Sequence, residues 1–443
     1  MVRGFCVWYG PIARPRAKKS RSGQGWHNVA EKEIRVSRTD ETTLVPVIKQ
    51  PNWSAIKVAT LIVSLCLMIV LVAGNARAQG SELAATPPMG WNTWYAFGCH
   101  VTEADVKATI IAMVSNGMKA AGYEYVSLDD CWQGKRDANG YIHSNSRFPN
   151  MKALGEYIHN HGFKFGIYSS PGPKTCGGFP GSYGYEEKDA ETYAKWGVDM
   201  LKYDWCSART VYKPSQTEAA YEKMHKAILH AGRPMLYSLC EYGMEAPWIW
   251  GPKIGANLWR TTGDVSNRID FQEYERMMFV GFGQEGLQKY AGPGHWNDPD
   301  FLQIGNRGLN LDEDKTQMSL WSLLAAPLFS STDLTKLTPA QLAVLTNREV
   351  IAVDRDPKGI QGHRVSQSGP VQVWAKPLSG GRMAVGLINS GESPFPASVN
   401  FSEIGYSHPV HVRDLWQEKD LGVFQSSFKT TVPKHGVVMI EIH

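Results

Sequence analysis

Apolar and polar positions alternate along most of the chain in a rhythm that is typical of strand–helix units. From Pro87 onward, short apolar runs alternate with amphipathic stretches at intervals of roughly 30 to 40 residues, the spacing of βαβ units in a parallel sheet. Eight of these runs are predicted strands, at residues 89–91, 123–128, 164–168, 200–203, 235–239, 258–260, 294–296 and 327–329.

The segments between these strands carry helix signals. Residues 102–121 form a predicted helix with Thr102 as N-cap and Gly122 as the stop, and residues 151–161 form another that Gly162 ends. Eight strand–helix units and a closing helix after Thr338 predict an α/β fold, a (β/α)8 TIM barrel. A doubly wound sheet is disfavoured because no Gly-rich dinucleotide motif follows a strand.

The pattern changes near Asp356-Pro357, where the barrel is expected to end. After Gly359 the helical period disappears, and residues 371–375, 383–388, 409–415 and 436–442 are predicted strands between Gly, Ser and Pro turns. We therefore expect a catalytic barrel over residues 79–357 and a C-terminal antiparallel β-sandwich domain over residues 358–443.

The first 78 residues differ from the rest in charge, with 12 Lys/Arg against 4 Asp/Glu. An uncharged apolar run from Ala59 to Gly74 and the sequence Ala76-Arg77-Ala78 fit a signal peptide cleaved after Ala78. One alternative is an uncleaved membrane anchor, although the run is short for a membrane span of about 20 residues. A start codon set too far upstream is another explanation of the long leader. The signal peptide predicts a secreted or periplasmic protein. The remaining chain is mildly acidic, so we expect no nucleic-acid partner.

Polar side chains follow the predicted strands at the end where TIM barrels have their active sites. They are Asp129, Asp130, Tyr168, Lys202, Asp204, Glu241, Arg260, Asp264, Asp298 and Asp300. A single Asp at such a position commonly caps a helix, but carboxylates after so many neighbouring strands indicate a site. The same loops hold Trp91, Trp94, Trp132, Trp205 and Trp296. An acidic mouth lined by aromatic rings suits a carbohydrate substrate.

Cleavage of a glycosidic bond needs two carboxyl groups. Asp204 is the predicted nucleophile because the nearby Lys202 cation would hold it ionised. Asp264 is the predicted acid/base because it follows Gly263 in a loop where a carboxyl can be desolvated and change protonation. The spacing of the two residues along the chain does not distinguish retention from inversion.

Five motifs in order carry a resemblance to a known family. They are TPPMGWNTW from Thr86, DDCW from Asp129, KTCGGFPGS from Lys174, KYDWC from Lys202 and GPGHWNDPD from Gly292. From about Thr86 to the C-terminus the chain resembles family 27 glycoside hydrolases, the α-galactosidase and α-N-acetylgalactosaminidase family. The resemblance implies a retaining double displacement on a barrel with a C-terminal β-domain, with no metal and no cofactor.

The resemblance also implies roles for individual residues. Asp204 matches the nucleophile and Asp264 the acid/base. The positions that match the substrate pocket are Trp94, Asp129, Asp130, Tyr168, Cys176, Lys202, Cys206, Glu241 and Arg260. Disulfides Cys99–Cys131 and Cys176–Cys206 are implied, which leaves Cys240 as a free, buried thiol. Two residues depart from the family pattern: Trp205, and Tyr242, at a position where Trp is common. We expect both to affect the leaving-group side of the site more than the chemistry.

Within the family, Glu241 decides the expected sugar. A carboxylate facing the 2-position accepts from a 2-hydroxyl and crowds out an acetamide, so galactose is favoured over N-acetylgalactosamine. The Asp129-Asp130 pair could hold the 4- and 6-hydroxyls, which fits a hexose better than the pentose arabinopyranose. The natural substrate, an oligosaccharide or a galactomannan side chain, and the oligomeric state stay open.

Two readings from other classes compete with a glycosidase. A galactose-binding protein without chemistry would lack one of the two carboxylates, and both are present. A metal-dependent hydrolase could use His295, Asp298 and Asp300, but Trp296 and Asn297 interrupt that group.

Overall fold

The structure, a computed structural model, describes residues 83–266, 273–306 and 308–443. The predicted leader, with its apolar run and the cleavage site after Ala78, lies outside the described residues. Within the described ranges no helix is both long enough and apolar enough to cross a membrane.

Eight parallel strands form the barrel that the sequence predicts. Around it they run in the order β8-β1-β2-β3-β4-β5-β6-β7, and each lies within two residues of its predicted position. The strands are β1 Met89–Asn92, β2 Tyr125–Leu128, β3 Lys164–Ser169, β4 Met200–Asp204, β5 Leu236–Cys240, β6 Leu258–Arg260, β7 Trp296–Asp298 and β8 Leu328–Ser330. Leu302, just past β7, closes the barrel, because its N–H donates to the Phe329 carbonyl at 2.8 Å.

Helices follow the strands on the outside of the barrel. They are α1 Glu103–Ser115, α2 Met151–Asn160, α3 Glu186–Trp196, α4 Thr217–His230, α5 Glu273–Phe282, α6 Leu311–Leu323, α7 Pro339–Thr346 and α8 Arg348–Asp354. After β5 the chain forms only the short helix Pro247–Trp250 and a 3-10 turn, Gly251–Ile254. Thr102 caps α1 in a capping box with Asp105, as predicted. The helix ends earlier than predicted because Gly117 adopts the left-handed conformation (φ 90°) and starts a separate turn, Met118–Ala121.

The C-terminal domain is an antiparallel β-sandwich, as predicted. Its strands are β9 His363–Ser368, β10 Val371–Pro377, β11 Met383–Asn389, β12 Phe395–Asn400, β13 Val410–Asp414, β14 Lys419–Phe424, β15 Ser427–Val432 and β16 Val437–Ile442. A six-stranded sheet in the order β9-β10-β11-β16-β13-β14 packs against the pair β12-β15. The sequence predicted four of these strands; the edge strands β9 and β14 contain no buried residue and so carry no continuous apolar run.

The sandwich is joined to the outer helices of the barrel by apolar and polar contacts. Trp374 of β10 stacks on Phe282 of α5, with ring centroids 6.0 Å apart. The buried Lys376 ammonium donates to the carbonyls of Ser322 at 3.0 Å and Asp354 at 3.1 Å, near the C-terminal ends of α6 and α8. These contacts lie away from the strand ends that carry the polar residues.

Candidate active site

The carboxyl ends of the barrel strands bring the predicted site residues together. Of the residues that match the family's site, eight are buried: Asp129, Asp130, Tyr168, Lys202, Asp204, Cys206, Glu241 and Arg260. Trp94 follows β1 and is half-buried, whereas Asp264 follows β6 in a loop and is exposed. A buried group of mixed charge of this kind must be internally paired, and its pairing defines the electrostatics of the site.

Lys202 and Asp129 form a buried ion pair. The Lys202 ammonium lies 2.9 Å from Asp129 Oδ2, and the Asn92 side-chain amide donates to the same oxygen at 2.8 Å. Burial lowers the pKa of Lys202, but the acidic groups around it, with Asp129 first among them, together raise that pKa above its ordinary value. The cation that the sequence placed beside Asp204 is therefore bonded to Asp129 instead.

Asp204, the last residue of β4, receives a hydrogen bond on each carboxylate oxygen. Tyr242 donates to Oδ1 at 2.6 Å and Tyr168 donates to Oδ2 at 3.1 Å. Burial raises the pKa of Asp204 to about 7, although Lys202 and Tyr242 act in the opposite direction. Lys202 favours the ionised form of Asp204, in the direction that the sequence predicts, but the cost of burying the charge exceeds the attraction of the cation.

Asp264 lies in contrasting surroundings. Its side chain is 49% exposed, and its Oδ1 accepts from Arg260 Nη2 at 3.0 Å. The predicted desolvation of this carboxyl is therefore wrong in the ligand-free protein. Asp300 holds this loop in place. Its Oδ2 accepts from the N–H of Val265 at 2.9 Å, and its Oδ1 lies 3.2 Å from Arg260 Nη1.

Glu241 follows β5 and is fully buried. Its Oε2 accepts from the N–H of Glu245 at 2.8 Å, and Oε1 has no hydrogen-bond partner among the described residues. Burial raises the pKa of Glu241 to about 8, which favours the protonated carboxyl group, and that form can donate as well as accept. An unpaired buried oxygen is costly unless a ligand hydroxyl satisfies it.

Two disulfides border the site, in the pairs that the family resemblance implies, and Cys240 is free and buried. The Cys176–Cys206 bridge lies against Tyr242, whose hydroxyl is 3.6 and 3.7 Å from the two sulfurs. The Cys99–Cys131 bridge lies beside Asp130, which accepts from the Gly177 N–H at 2.6 Å. A Cβ at Gly177 would come within 2.8 Å of Cys131 Sγ, so only glycine allows this approach.

The tryptophans of the strand-end loops do not line the mouth as predicted. Trp91, Trp132 and Trp296 have no exposed surface, and their indole N–H groups donate to backbone carbonyls at 2.8–2.9 Å. Trp205 is buried in a stack between Tyr212 and Tyr221. An indole with its one donor satisfied is a large core residue. Of the five, Trp94 is the half-buried one.

The structure adds three contacts that sequence reasoning missed. Tyr242, expected on the leaving-group side, bonds directly to Asp204; Asn92 orients Asp129; and Asp300 holds both Arg260 and the Asp264 loop. The position of Tyr242 immediately after Glu241 at a strand end was the available signal for it.

A metal-dependent hydrolase would need His, Asp or Glu side chains whose ligand atoms converge on one point. In the described part of the chain, the one group whose ligand atoms all lie within 4.8 Å of one another is Cys176, Asp204 and Cys206. Its two sulfurs are joined in a disulfide and offer no thiolate. His295 instead packs against the Trp259 ring, and Asp298 Oδ1 accepts from the Asp300 N–H at 2.8 Å. The grouping that this alternative requires is not formed by these residues.

Known proteins similar to this chain share both of its domains. The sequence model of the family described as Alpha galactosidase A matches residues 86–356, and the one described as Alpha galactosidase C-terminal beta sandwich domain matches residues 368–442. An alpha-galactosidase A of Cellvibrio japonicus is 42% identical over 395 residues, which cover 84% of this chain and 96% of the relative.

Solved structures agree with the sequence comparison. Alpha-galactosidase I from Mortierella vinacea is 35% identical with a TM-score of 0.75, covering 81% of this chain and 97% of that one. The Saccharomyces cerevisiae alpha-galactosidase with raffinose is 29% identical with a TM-score of 0.77, covering 82% and 99%. On the matched family, the identity and the shared architecture, this chain belongs to the α-galactosidase family, family 27 of the glycoside hydrolases.

Proposed function

We propose that this protein releases terminal α-linked D-galactose from galactosides, with Asp204 as the nucleophile and Asp264 as the acid/base. The observation that carries the proposal is the carboxyl group of Asp204, held at the carboxyl end of β4 by two phenols. The Asp264 charge is among those that raise the pKa of Asp204, so the two carboxyl groups interact electrostatically. Family membership supports a retaining reaction.

The proposed reaction has two steps with balanced proton transfers. In the first, an Asp204 oxygen bonds to the anomeric carbon while Asp264 gives its proton to the departing glycosidic oxygen, forming a galactosyl ester. In the second, Asp264 takes a proton from water, the water oxygen attacks the anomeric carbon, and Asp204 leaves as a carboxylate. The exposure of Asp264 supports this assignment because the acid/base must meet both the leaving group and water.

The proposed sugar contacts come from the buried carboxyl groups. Glu241 is placed toward the 2-hydroxyl, which would satisfy its unpaired Oε1. We place Asp129 and Asp130 toward the 4- and 6-hydroxyls; protein donors already orient both, because the Asp130 N–H donates to Asp129 Oδ1 at 2.9 Å and the Gly177 N–H donates to Asp130 Oδ2 at 2.6 Å. A carboxyl group fixed in this way binds a hydroxyl without first losing side-chain freedom.

The test is a panel of three aryl glycosides: an α-galactoside, an α-N-acetylgalactosaminide and a β-L-arabinopyranoside. We expect the α-galactoside to be the preferred substrate, α-galactose to be the first anomer seen by NMR, and the rate to persist in a chelator. Preference for either other sugar would contradict the specificity, and β-galactose as the first product would contradict retention. A rate that is lost with chelator and returns with a divalent ion would contradict the proposed chemistry.

We also propose that the protein is exported and processed near Ala78. The Ala-x-Ala sequence after the apolar run supports this, and so do the two disulfides, which persist in oxidising compartments. N-terminal sequencing of the exported protein should find Gln79 at or near the start. An intact leader on membrane-associated protein would favour the anchor, and an intracellular protein without bridges would contradict export.

A further inference from the structure

The two tyrosines on Asp204 are held in different ways. Tyr168 lies within β3 and is buried, and its carbonyl accepts from the Trp132 indole at 2.9 Å. Tyr242 lies outside the strands, directly after Glu241, and its side chain is half-buried. Tyr168 is therefore a fixed donor to Oδ2, whereas Tyr242 reaches Oδ1 from a turn.

The turn that carries Tyr242 has an uncommon backbone. Tyr242 has φ 62° and Gly243 has φ 78°, both in the left-handed region, where a bulky residue costs conformational energy. A Cβ at Gly243 would lie 2.1 Å from the Thr261 carbonyl oxygen, so this turn is packed tightly beside the end of β6. The packing fixes the backbone, and any movement of the Tyr242 hydroxyl must come from rotation of its side chain.

Nucleophilic attack changes what the Asp204 oxygens can accept. When one oxygen bonds to the anomeric carbon it loses its negative charge and becomes a weak acceptor, while the other remains a carbonyl-type acceptor. A phenol on the attacking oxygen therefore stabilises the free carboxylate more than the galactosyl ester. Because Tyr168 is fixed on Oδ2, Oδ1 is the oxygen whose partner can withdraw.

We propose that Tyr242 is a positioning residue that holds Asp204 Oδ1 in the ligand-free enzyme and gives up this hydrogen bond when the galactoside reacts. The inference rests on the proposed role of Asp204 as nucleophile. It explains why a strained turn aims a phenol at a carboxylate at 2.6 Å, and it assigns a role to a position where this chain departs from the family pattern.

The test compares Tyr242→Phe with Tyr168→Phe on an aryl α-galactoside that has a good leaving group. With such a substrate little protonation is needed, so the acid limb of kcat/KM reports the ionisation of Asp204. The other titratable groups around Asp204 are Lys202, Asp129, Asp264, Cys240 and Tyr221. They are unchanged in both variants.

For Tyr242→Phe we expect the acid limb to move to higher pH by about one unit, because a donor that stabilises the carboxylate is lost. The plateau of kcat/KM above the limb should rise by up to about tenfold, because the lost hydrogen bond stabilises the free carboxylate and is absent from the transition state. For Tyr168→Phe the plateau should instead fall by about tenfold, because that phenol keeps its bond to Oδ2 during the attack and holds the carboxylate in the position from which Oδ1 attacks.

Two results would overturn the inference: an acid limb that does not move in Tyr242→Phe, or a plateau that falls as far as in Tyr168→Phe. If Tyr242→Phe fails to fold, Tyr242→Leu also lacks the donor and serves in its place. Tyr141→Phe is the matched control, because it removes a phenol–carboxylate bond to Glu191 (2.9 Å) outside the site and should change neither quantity. A wild type without galactosidase activity would contradict the proposed function itself; an active wild type with an unmoved limb contradicts only the role of Tyr242.

Discussion

Two carboxyl groups of the site have opposite surroundings: one on its floor, at the end of a barrel strand, and one on its rim, in a loop. On the floor, Asp204 sits in a strand, is 6% exposed, and has both oxygens bonded to phenols. On the rim, Asp264 lies in a loop with a half-exposed side chain, which accepts a hydrogen bond from the Arg260 guanidinium. Burial raises the pKa of Asp204 to about 7, well above the ordinary value for an aspartate.

This difference separates two tasks that a glycosidase must perform. A nucleophile has to be held in one position, and in the ligand-free protein a strand residue with a phenol on each carboxylate oxygen is held in this way. An acid/base has to meet the leaving group and then water, which requires a loop that is open to solvent. The comparison predicts that the two carboxyl groups fail in different ways when they are removed.

Removal of the floor carboxyl should have the largest effect. Asp204→Ala cannot form the galactosyl ester, so hydrolysis should fall by several orders of magnitude, whatever the leaving group. External azide should restore some activity and give the azide product of inverted configuration. Asp199→Asn, at the opposite end of the same strand, is the control and should keep its activity. A modest loss that depends on the leaving group would contradict the assignment.

Removal of the rim carboxyl should have a smaller and substrate-dependent effect. Asp264→Ala loses proton transfer, so hydrolysis of galactosyl oligosaccharides should fall by about 10²–10⁴-fold. The first step with an activated aryl galactoside should stay comparatively fast, and azide should speed turnover with retained configuration. Measured rates across a series of leaving groups give the distinction. If the two variants show exchanged patterns, the roles are exchanged; if neither loses activity, the catalytic pair lies elsewhere among the buried carboxyl groups.

The third prediction concerns the pH dependence of kcat/KM, which should change by about tenfold per pH unit on its acid limb. On an activated aryl galactoside, kcat/KM should fall below a pH of about 7, because Asp204 gains a proton there and can no longer attack. In Asp264→Ala the limb should move to lower pH, since a neighbouring negative charge that raises the pKa of Asp204 is removed. A wild-type limb near pH 4, the ordinary value for Asp, would contradict the effect of burial.

The smallest effect concerns sugar choice on the floor. The double variant Glu241→Ser, Met244→Ala should raise the ratio of N-acetylgalactosaminidase to galactosidase rates by about tenfold or more, because it removes a steric block to the acetamide. Glu241→Gln is the matched control: it keeps the size of the side chain, so it should weaken galactoside hydrolysis without admitting the acetamide sugar. An unchanged ratio in the double variant would place the 2-position elsewhere.

Several features of this protein followed from the sequence by itself. The alternation of apolar runs and amphipathic stretches gave the eight barrel strands to within two residues, because strands buried on both faces must be apolar. Cap residues such as Thr102 located helix starts, since capping is a local interaction. The rule that barrel sites lie at the carboxyl ends of strands was enough to select the residues that the structure brings together.

Other features depended on contacts between residues far apart in the chain. Nothing near Lys202 in the sequence shows that its ammonium bonds to Asp129, which lies 73 positions away, rather than to Asp204. The sequence predicted that the tryptophans of the strand-end loops stack on sugar rings, but packing between strands and helices buries four of the five. The exposed edge strands of the sandwich had no apolar run to reveal them.

The sequence by itself determined the barrel, the sandwich and the inventory of carboxyl groups, because hydrophobic periodicity and strand-end position are properties of a few consecutive residues. The tertiary structure alone decided how those groups are protonated and which are paired. Acid strength depends on burial and on neighbours brought together from different strands. Asp204 is buried and bonded to two phenols, whereas Asp264 is half-exposed beside Arg260, and Tyr242 acquires its place on Asp204 only through the turn that packs beside β6.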